Sequence, residues 1–153
     1  MKTTALEYSI KTYQELSRDE LYTLLQLRAA VFVVEQDCAY QDVDGKDHKA
    51  LHVLGYKDGQ MVAYTRIFPP GAYFKDASIG RVVVHKEERA HKYGYELMDV
   101  SMQAVFNRFE VSEIKISAQV YLKNFYNNLN FEIVGEEYLE DGIPHIEMIY
   151  TTI

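Results

Sequence analysis

Two stretches of the chain place chemically useful residue types close together. In the first, Val82-Val83-Val84 runs into Glu87-Glu88-Arg89-Ala90-His91-Lys92-Tyr93-Gly94 and then Tyr95. Apolar β-branched residues followed by a charged loop and a helical pattern read as strand, tight turn and helix start. The first amides of a helix lack internal partners and its N-terminal end is positive, so such a turn can cradle a pyrophosphate through backbone. Arg89 and Lys92 would add charge to that cradle. The second stretch is Asn124-Phe125-Tyr126-Asn127-Asn128-Leu129-Asn130-Phe131. Taken alone, Tyr126 is one of 13 tyrosines and could simply pack with its hydroxyl exposed. Glu35 draws notice because it ends the apolar run Phe32-Val33-Val34, an unusual setting for a carboxylate.

These residues need elements to position them. Residues near 5 to 10 suit a first strand, and Ser17-Arg18-Asp19-Glu20 forms a capping box that opens a helix expected to reach Val34. Segments 51–56 and 61–68 read as a hairpin joined by Lys57-Asp58-Gly59-Gln60. Phe68-Pro69-Pro70-Gly71 ends it, because proline cannot donate to a ladder. Ser78 to His85 is too continuously apolar to have a solvated face and belongs at the sheet centre. Gly94 to Phe109 carries Leu97, Met98, Ser101, Ala104 and Val105 at helical spacing. A strand over 113–118, a short helix over 122–128, and strands over 131–137 and 143–150 turning at Asp141-Gly142 complete the order. The fold class is α/β, an α+β mixed sheet.

The chain has 153 residues, 48% hydrophobic and 25% charged, which predicts one domain over 1–153. A formal net charge of -7 repels phosphate backbones and anionic membranes, so neither nucleic acid nor membrane is an expected partner, and a cationic substrate is favoured. The one cysteine, Cys38, cannot close an internal disulfide and has no companion thiols for a structural metal site, so no metal is expected. Together with an N-terminus that shows no long apolar run, this predicts a cytoplasmic protein. The 13% aromatic content leaves material for a homodimer patch.

The loop resembles the cofactor loop of the GNAT acetyltransferase superfamily, R-x-x-G-x-G or R-x-x-G-x-A. Arg89 and Gly94 match it, while Lys92 stands where the first glycine usually lies. The second stretch resembles the family's A-x-x-F-Y-x-x-x-G-F segment, with Tyr126 on its tyrosine and Asn130 in place of its glycine, a mild change because asparagine tolerates the left-handed backbone. Leu27-Arg28, Val31 to Gln36, Asp44-Gly45, Gly80 to Val84 and Asp141 to Met148 are similar to the ElaA-type subfamily.

The resemblance implies a GNAT-like acyl-CoA N-acyltransferase fold with splayed central strands and an acetyl group moved directly from acetyl-CoA to a primary amine. It implies a coenzyme site over Val82, Val83, Val84, Arg89, Ala90, His91, Lys92, Tyr93, Gly94, Tyr95 and Asn124, with a backbone amide of Val83 or Val84 on the thioester carbonyl. Tyr126 would be the acid for the thiolate, since a phenol with a pKa near ~10 suits a thiol leaving group. The general base varies across the superfamily, leaving Glu35, Asp44, His52, His85, His145 and Glu147 as candidates, with Glu35 and His145 preferred by the subfamily likeness. Cys38 is not expected to carry an acyl group. Two other readings stay open. One is an acyl-homoserine lactone synthase, whose pattern also has an Arg and a Phe four apart, as in Arg28 and Phe32, followed by acidic residues such as Asp44 and Asp47. The other is a non-catalytic acetyl-CoA-binding module.

Overall fold

Two Asp-Gly pairs set the hairpins. Asp58 and Gly59 have φ of 51° and 81°, and Asp141 and Gly142 have 52° and 77°. Positive φ at both central residues is the turn whose twist matches that of paired strands. In the computed structural model, which describes residues 3–152, the first pair joins β2 (Leu51–Lys57) to β3 (Gln60–Phe68). The second joins β7 (Tyr138–Glu140) to β8 (Ile143–Thr151). The remaining strands are β1 (Glu7–Thr12), β4 (Ser78–Val84), β5 (Glu113–Gln119) and β6 (Glu132–Ile133). They form one mixed sheet in the order β1-β2-β3-β4-β5-β8-β6, with β7 also on β8.

Helix α1 (Arg18–Arg28) begins at the expected capping box: the Glu20 amide donates to Ser17 Oγ at 3.0 Å and the Ser17 amide to Glu20 Oε1 at 2.8 Å. Helix α2 (Tyr93–Phe109) buries Leu97, Met98, Ser101, Ala104 and Val105. The third helix, α3 (Lys123–Asn127), is short. Strand β3 explains how two helical layers share one sheet: almost all its residues are buried, with Ala63 and Ile67 in the cluster under α2 and Tyr64 in the cluster under α1. The Thr65 and Ser101 hydroxyls meet at 2.7 Å across the α2 interface, so neither is left unpaired in the core.

Three departures from the sequence expectations bear on the site. The first helix does continue to Glu35, but beyond Arg28 it is a π-helix, Ala29–Glu35. The Gln36 amide reaches Val31 O at 3.1 Å and the Cys38 amide reaches Val33 O, both five residues back. The wider turn aligns residues four and five apart. The strand expected over 131–137 shrinks to two residues, because Gly135 at φ 88° takes the chain off β8 before it returns as β7. Strand β4 contains a bulge. Thr65 of β3 faces both Arg81 and Val82, and Arg81 has φ 50°.

Candidate active site

Strands β4 and β5 are parallel neighbours, yet they pair at a single position, Ser78 with Lys115. Beyond it they part, and the gap is a cleft of about 510 Å³. Val82, Val83 and Val84 form one bank, and Ile116, Ser117 and Gln119 the other. The π-helix contributes Val31, Phe32, Glu35 and Gln36 as a wall, the spacing that its wide turn aligns. Arg89, Lys92, Gly94, Tyr95 and Phe125 line the cleft where α2 begins, and Tyr126, Glu140 and His145 also face it. Four residues expected at the coenzyme site, Ala90, His91, Tyr93 and Asn124, do not line the cleft. His91 instead lies beside the Tyr93 ring, with centroids 5.2 Å apart.

Ladder geometry aims backbone groups of β4 into this gap. The His85 amide donates to Val62 O at 2.7 Å, which makes His85 and Val62 a hydrogen-bonded pair. Bonded pairs alternate in an antiparallel ladder, so Val83 with Tyr64 is the next, and Val84 between them turns its N–H and C=O away from β3. Arg89 accords with this, since its Nε–H donates to Val84 O at 3.1 Å. Both terminal arms of Arg89 grip Glu35, at 2.5 and 2.8 Å, and this guanidinium holds the Glu35 carboxyl below its ordinary range. Beside it, Gln36 and Gln119 exchange amide contacts across the cleft, the better at 3.2 Å. The π-helix is thus fastened to both banks.

At the start of α2, Lys92 has φ 59° and ψ 29°, which shows why glycine suits this position. Gly94 serves space, not torsion: a Cβ there would lie 3.3 Å from the Phe125 ring. The two sequence stretches therefore meet, with Tyr95 also 4.7 Å from Phe125 between centroids. Tyr126 is held by its own helix end. The Phe131 amide donates to Tyr126 O at 3.1 Å and the Asn130 amide to Asn127 O at 2.9 Å, a Schellman closure in which Asn130 takes φ 70°. The Tyr126 side chain is buried, at 6% exposure. Burial, with the nearby Tyr121 phenol adding to it, raises the Tyr126 pKa well above that of a free tyrosine.

His145 is also buried, at 6% exposure. Its Nδ1–H donates to Ile143 O at 2.7 Å, which directs Nε2 toward Glu140 Oε2, 3.4 Å away. Glu140 carries no signal of its own in sequence; only the β7–β8 register, Tyr138 opposite His145 and Glu140 opposite Ile143, brings it there. Besides Glu35 and His145, the base candidates lie outside the cleft. His85 accepts from the Glu87 amide, and Glu147 pairs with Lys115 at 3.1 Å. His52 donates from Nε2 to Asp47 O at 2.8 Å and accepts the Tyr64 hydroxyl at Nδ1. Asp44 binds Arg66 at 2.6 Å. Asp47 holds Arg28 at 2.7 Å, so the charged residues behind the lactone-synthase likeness close largely on one another in the interior, and only Phe32 of that set faces the cleft. Cys38 does not line the cleft; its thiol donates to Asp141 O at 3.3 Å.

A mixed sheet parted between two parallel strands, with a helix start at the mouth of the gap, defines the acyl-CoA N-acyltransferase fold. The chain belongs to the GNAT family: the acetyltransferase (GNAT) domain matches residues 12–152. It is 43% identical to protein ElaA of Escherichia coli (strain K12) over 94% of this chain and 95% of that one. An acyl-CoA N-acyltransferase from Pseudomonas aeruginosa superposes with a TM-score of 0.88 at 41% identity, covering 95% of this chain and 99% of that one. A CoA-dependent acyl-homoserine lactone synthase, BjaI, shares the fold at a TM-score of 0.77 and 14% identity, over 95% of this chain and 82% of that one. The fold and family imply an acyl-CoA co-substrate and an acceptor. Among the described residues no helix is long and apolar enough to cross a membrane.

Proposed function

We propose that this chain, acting as one domain in the cytoplasm, transfers an acetyl group from acetyl-CoA directly to a primary amine. The observation that carries the proposal is the parted β4–β5 cleft, which joins the α2 start to a buried tyrosine and a histidine of fixed tautomer. The residues present fit the coenzyme. Val84 offers an off-ladder amide, Lys92 and Arg89 stand at the positive end of α2, and Gly94 leaves room against Phe125.

When bound, the coenzyme supplies an activated acyl thioester. The Val84 N–H is the donor for the carbonyl oxygen as negative charge develops there. His145 Nε2 takes the proton that the ammonium form of the acceptor must lose before attack, and the Glu140 carboxylate beside it steadies the imidazolium. Tyr126 donates a hydrogen bond to the departing sulfur. The nitrogen's second proton passes to the thiolate sulfur as the amide forms, so the balance is ammonium plus thioester giving amide plus free thiol plus the proton held on His145.

The test is a panel of primary amines with acetyl-CoA, read by thiol release, for the wild-type protein and His145→Gln. The expected result is turnover with at least one amine and a loss of roughly 10²-fold or more in His145→Gln. Tight acetyl-CoA binding without turnover across the panel would instead establish a coenzyme-binding module. Full activity in His145→Gln would remove the histidine from the mechanism.

A further inference from the structure

Arg89 and Glu35 come from opposite sides of the cleft mouth, one from the loop before α2 and the other from the last position of the π-helix. Three of the five guanidinium N–H groups are engaged, one by Val84 O and two by the Glu35 carboxylate. We propose that Glu35 is a built-in competitor for the phosphate-binding arginine, setting how tightly the coenzyme is held and how readily its product form leaves. The proposal rests on the acyl-CoA reading above.

Like charges would meet in a shared place. A diphosphate drawn to Arg89 by the α2 start meets a carboxylate already seated on the same guanidinium. Whether it displaces Glu35 or binds beside it, the carboxylate opposes it. The pair is open to exchange, because its side chains are 41% and 27% exposed and water and ions can reach both partners. Displacement need not loosen the wall. Gln36, the next residue, stays fastened to Gln119 on the far bank, and the Cys38 amide still closes the π-turn on Val33. A released Glu35 would also offer its carboxylate to the cleft, where a cationic acceptor must arrive. Glu35 acts through Arg89, as a positioning residue.

The experiment is calorimetric binding of CoA, and of pantetheine, which lacks the phosphates, to the wild type, Glu35→Gln, Glu35→Asp and Arg89→Ala, and to the Glu35→Gln/Arg89→Ala double variant. Urea midpoints check that each variant folds. Glu35→Gln is expected to tighten CoA binding about two- to fivefold, the span of an exposed ion pair. Pantetheine binding should not change, Glu35→Asp should stay near the wild type, and Glu35→Gln should have no effect once Arg89 is gone. CoA binding that is unchanged or weaker in Glu35→Gln overturns the proposal, as does equal tightening for pantetheine, which would mark a relaxed cleft. A wild-type protein that binds no CoA overturns the acyltransferase reading and this one with it, whereas a binding wild type with an inert Glu35→Gln overturns this one alone.

Discussion

At the scale of single residues, Tyr126 illustrates how burial changes a chemical role. A tyrosine at its ordinary pKa lies about 1.5 units above a thiol, and each unit is worth about 1.4 kcal/mol. Burial and Tyr121 raise its pKa further, which disfavours full proton transfer to a thiolate. The phenol is then best suited to donate a hydrogen bond while staying protonated. Tyr126→Phe is accordingly expected to lower kcat roughly tenfold to a hundredfold with little change in the KM for acetyl-CoA, measured by steady-state kinetics. An unchanged kcat would remove the hydroxyl from the mechanism. Lys92 presents a different trade. Its left-handed backbone is strained for a lysine by about 1–2 kcal/mol, while glycine there would lose about 0.5–1 kcal/mol of unfolded-chain entropy. Lys92→Gly should therefore gain about 0.5–1 kcal/mol in urea unfolding yet bind CoA less tightly, because a cation leaves the cleft mouth.

At the scale of elements, the roots of the cleft are tied by an ionic cluster. Arg28 ends α1, Arg66 lies in β3, Arg81 sits in the β4 bulge, and Asp42, Asp44 and Asp47 come from the loop between the π-helix and β2. Burial alone would raise the Asp44 carboxyl, but the Arg66 guanidinium outweighs it and holds the group well below the usual range. Asp47 is lowered in the same sense, by Arg28 and then Arg66 against its own burial. A carboxyl whose folded pKa is depressed adds stability that is fully present above its unfolded value, about 3.9, and is lost as pH falls through the folded value. His52 adds to the trend. Burial keeps it neutral, so its contribution is full above about pH 6.5 and declines as the unfolded chain takes up protons below that. Urea midpoints are expected to decline from about pH 6.5 downward and more steeply below about pH 4. Asp44→Asn should be less stable at neutral pH and show a flatter acid limb, and an identical acid limb would exclude Asp44 as its source.

At the scale of the whole molecule, the net charge of -7 favours cationic acceptors on approach. The kcat/KM for a cationic amine should fall severalfold as ionic strength rises from about 0.05 to about 0.5 M, because screening shortens the reach of the field. A neutral-amine analogue should show little of that dependence, and equal salt responses would dismiss steering. The same molecule must still hold an anionic coenzyme. The α2 start, Lys92 and Arg89 provide a local positive end against the general field, and Glu35 tempers it.

Much of this design is written locally. The Asp-Gly turns, the Ser17–Glu20 box, the period of α2, the three-valine strand and the left-handed Asn130 follow from torsional preference and hydrophobic spacing within a few residues, so the chain alone specifies them. What it does not display is any meeting between distant segments. The Arg89–Glu35 grip, the Gln36–Gln119 bridge and the Glu140 carboxylate beside His145 exist because sheet order and register bring those residues together. Helical spacing likewise does not distinguish an α-turn from the π-turn that aligns Val31, Phe32, Glu35 and Gln36. Nor does a strand's composition tell whether its parallel neighbour stays paired. The opening between β4 and β5 is decided by how the bulge at Arg81, the helices and β8 pack, and that balance exists only in the folded sheet.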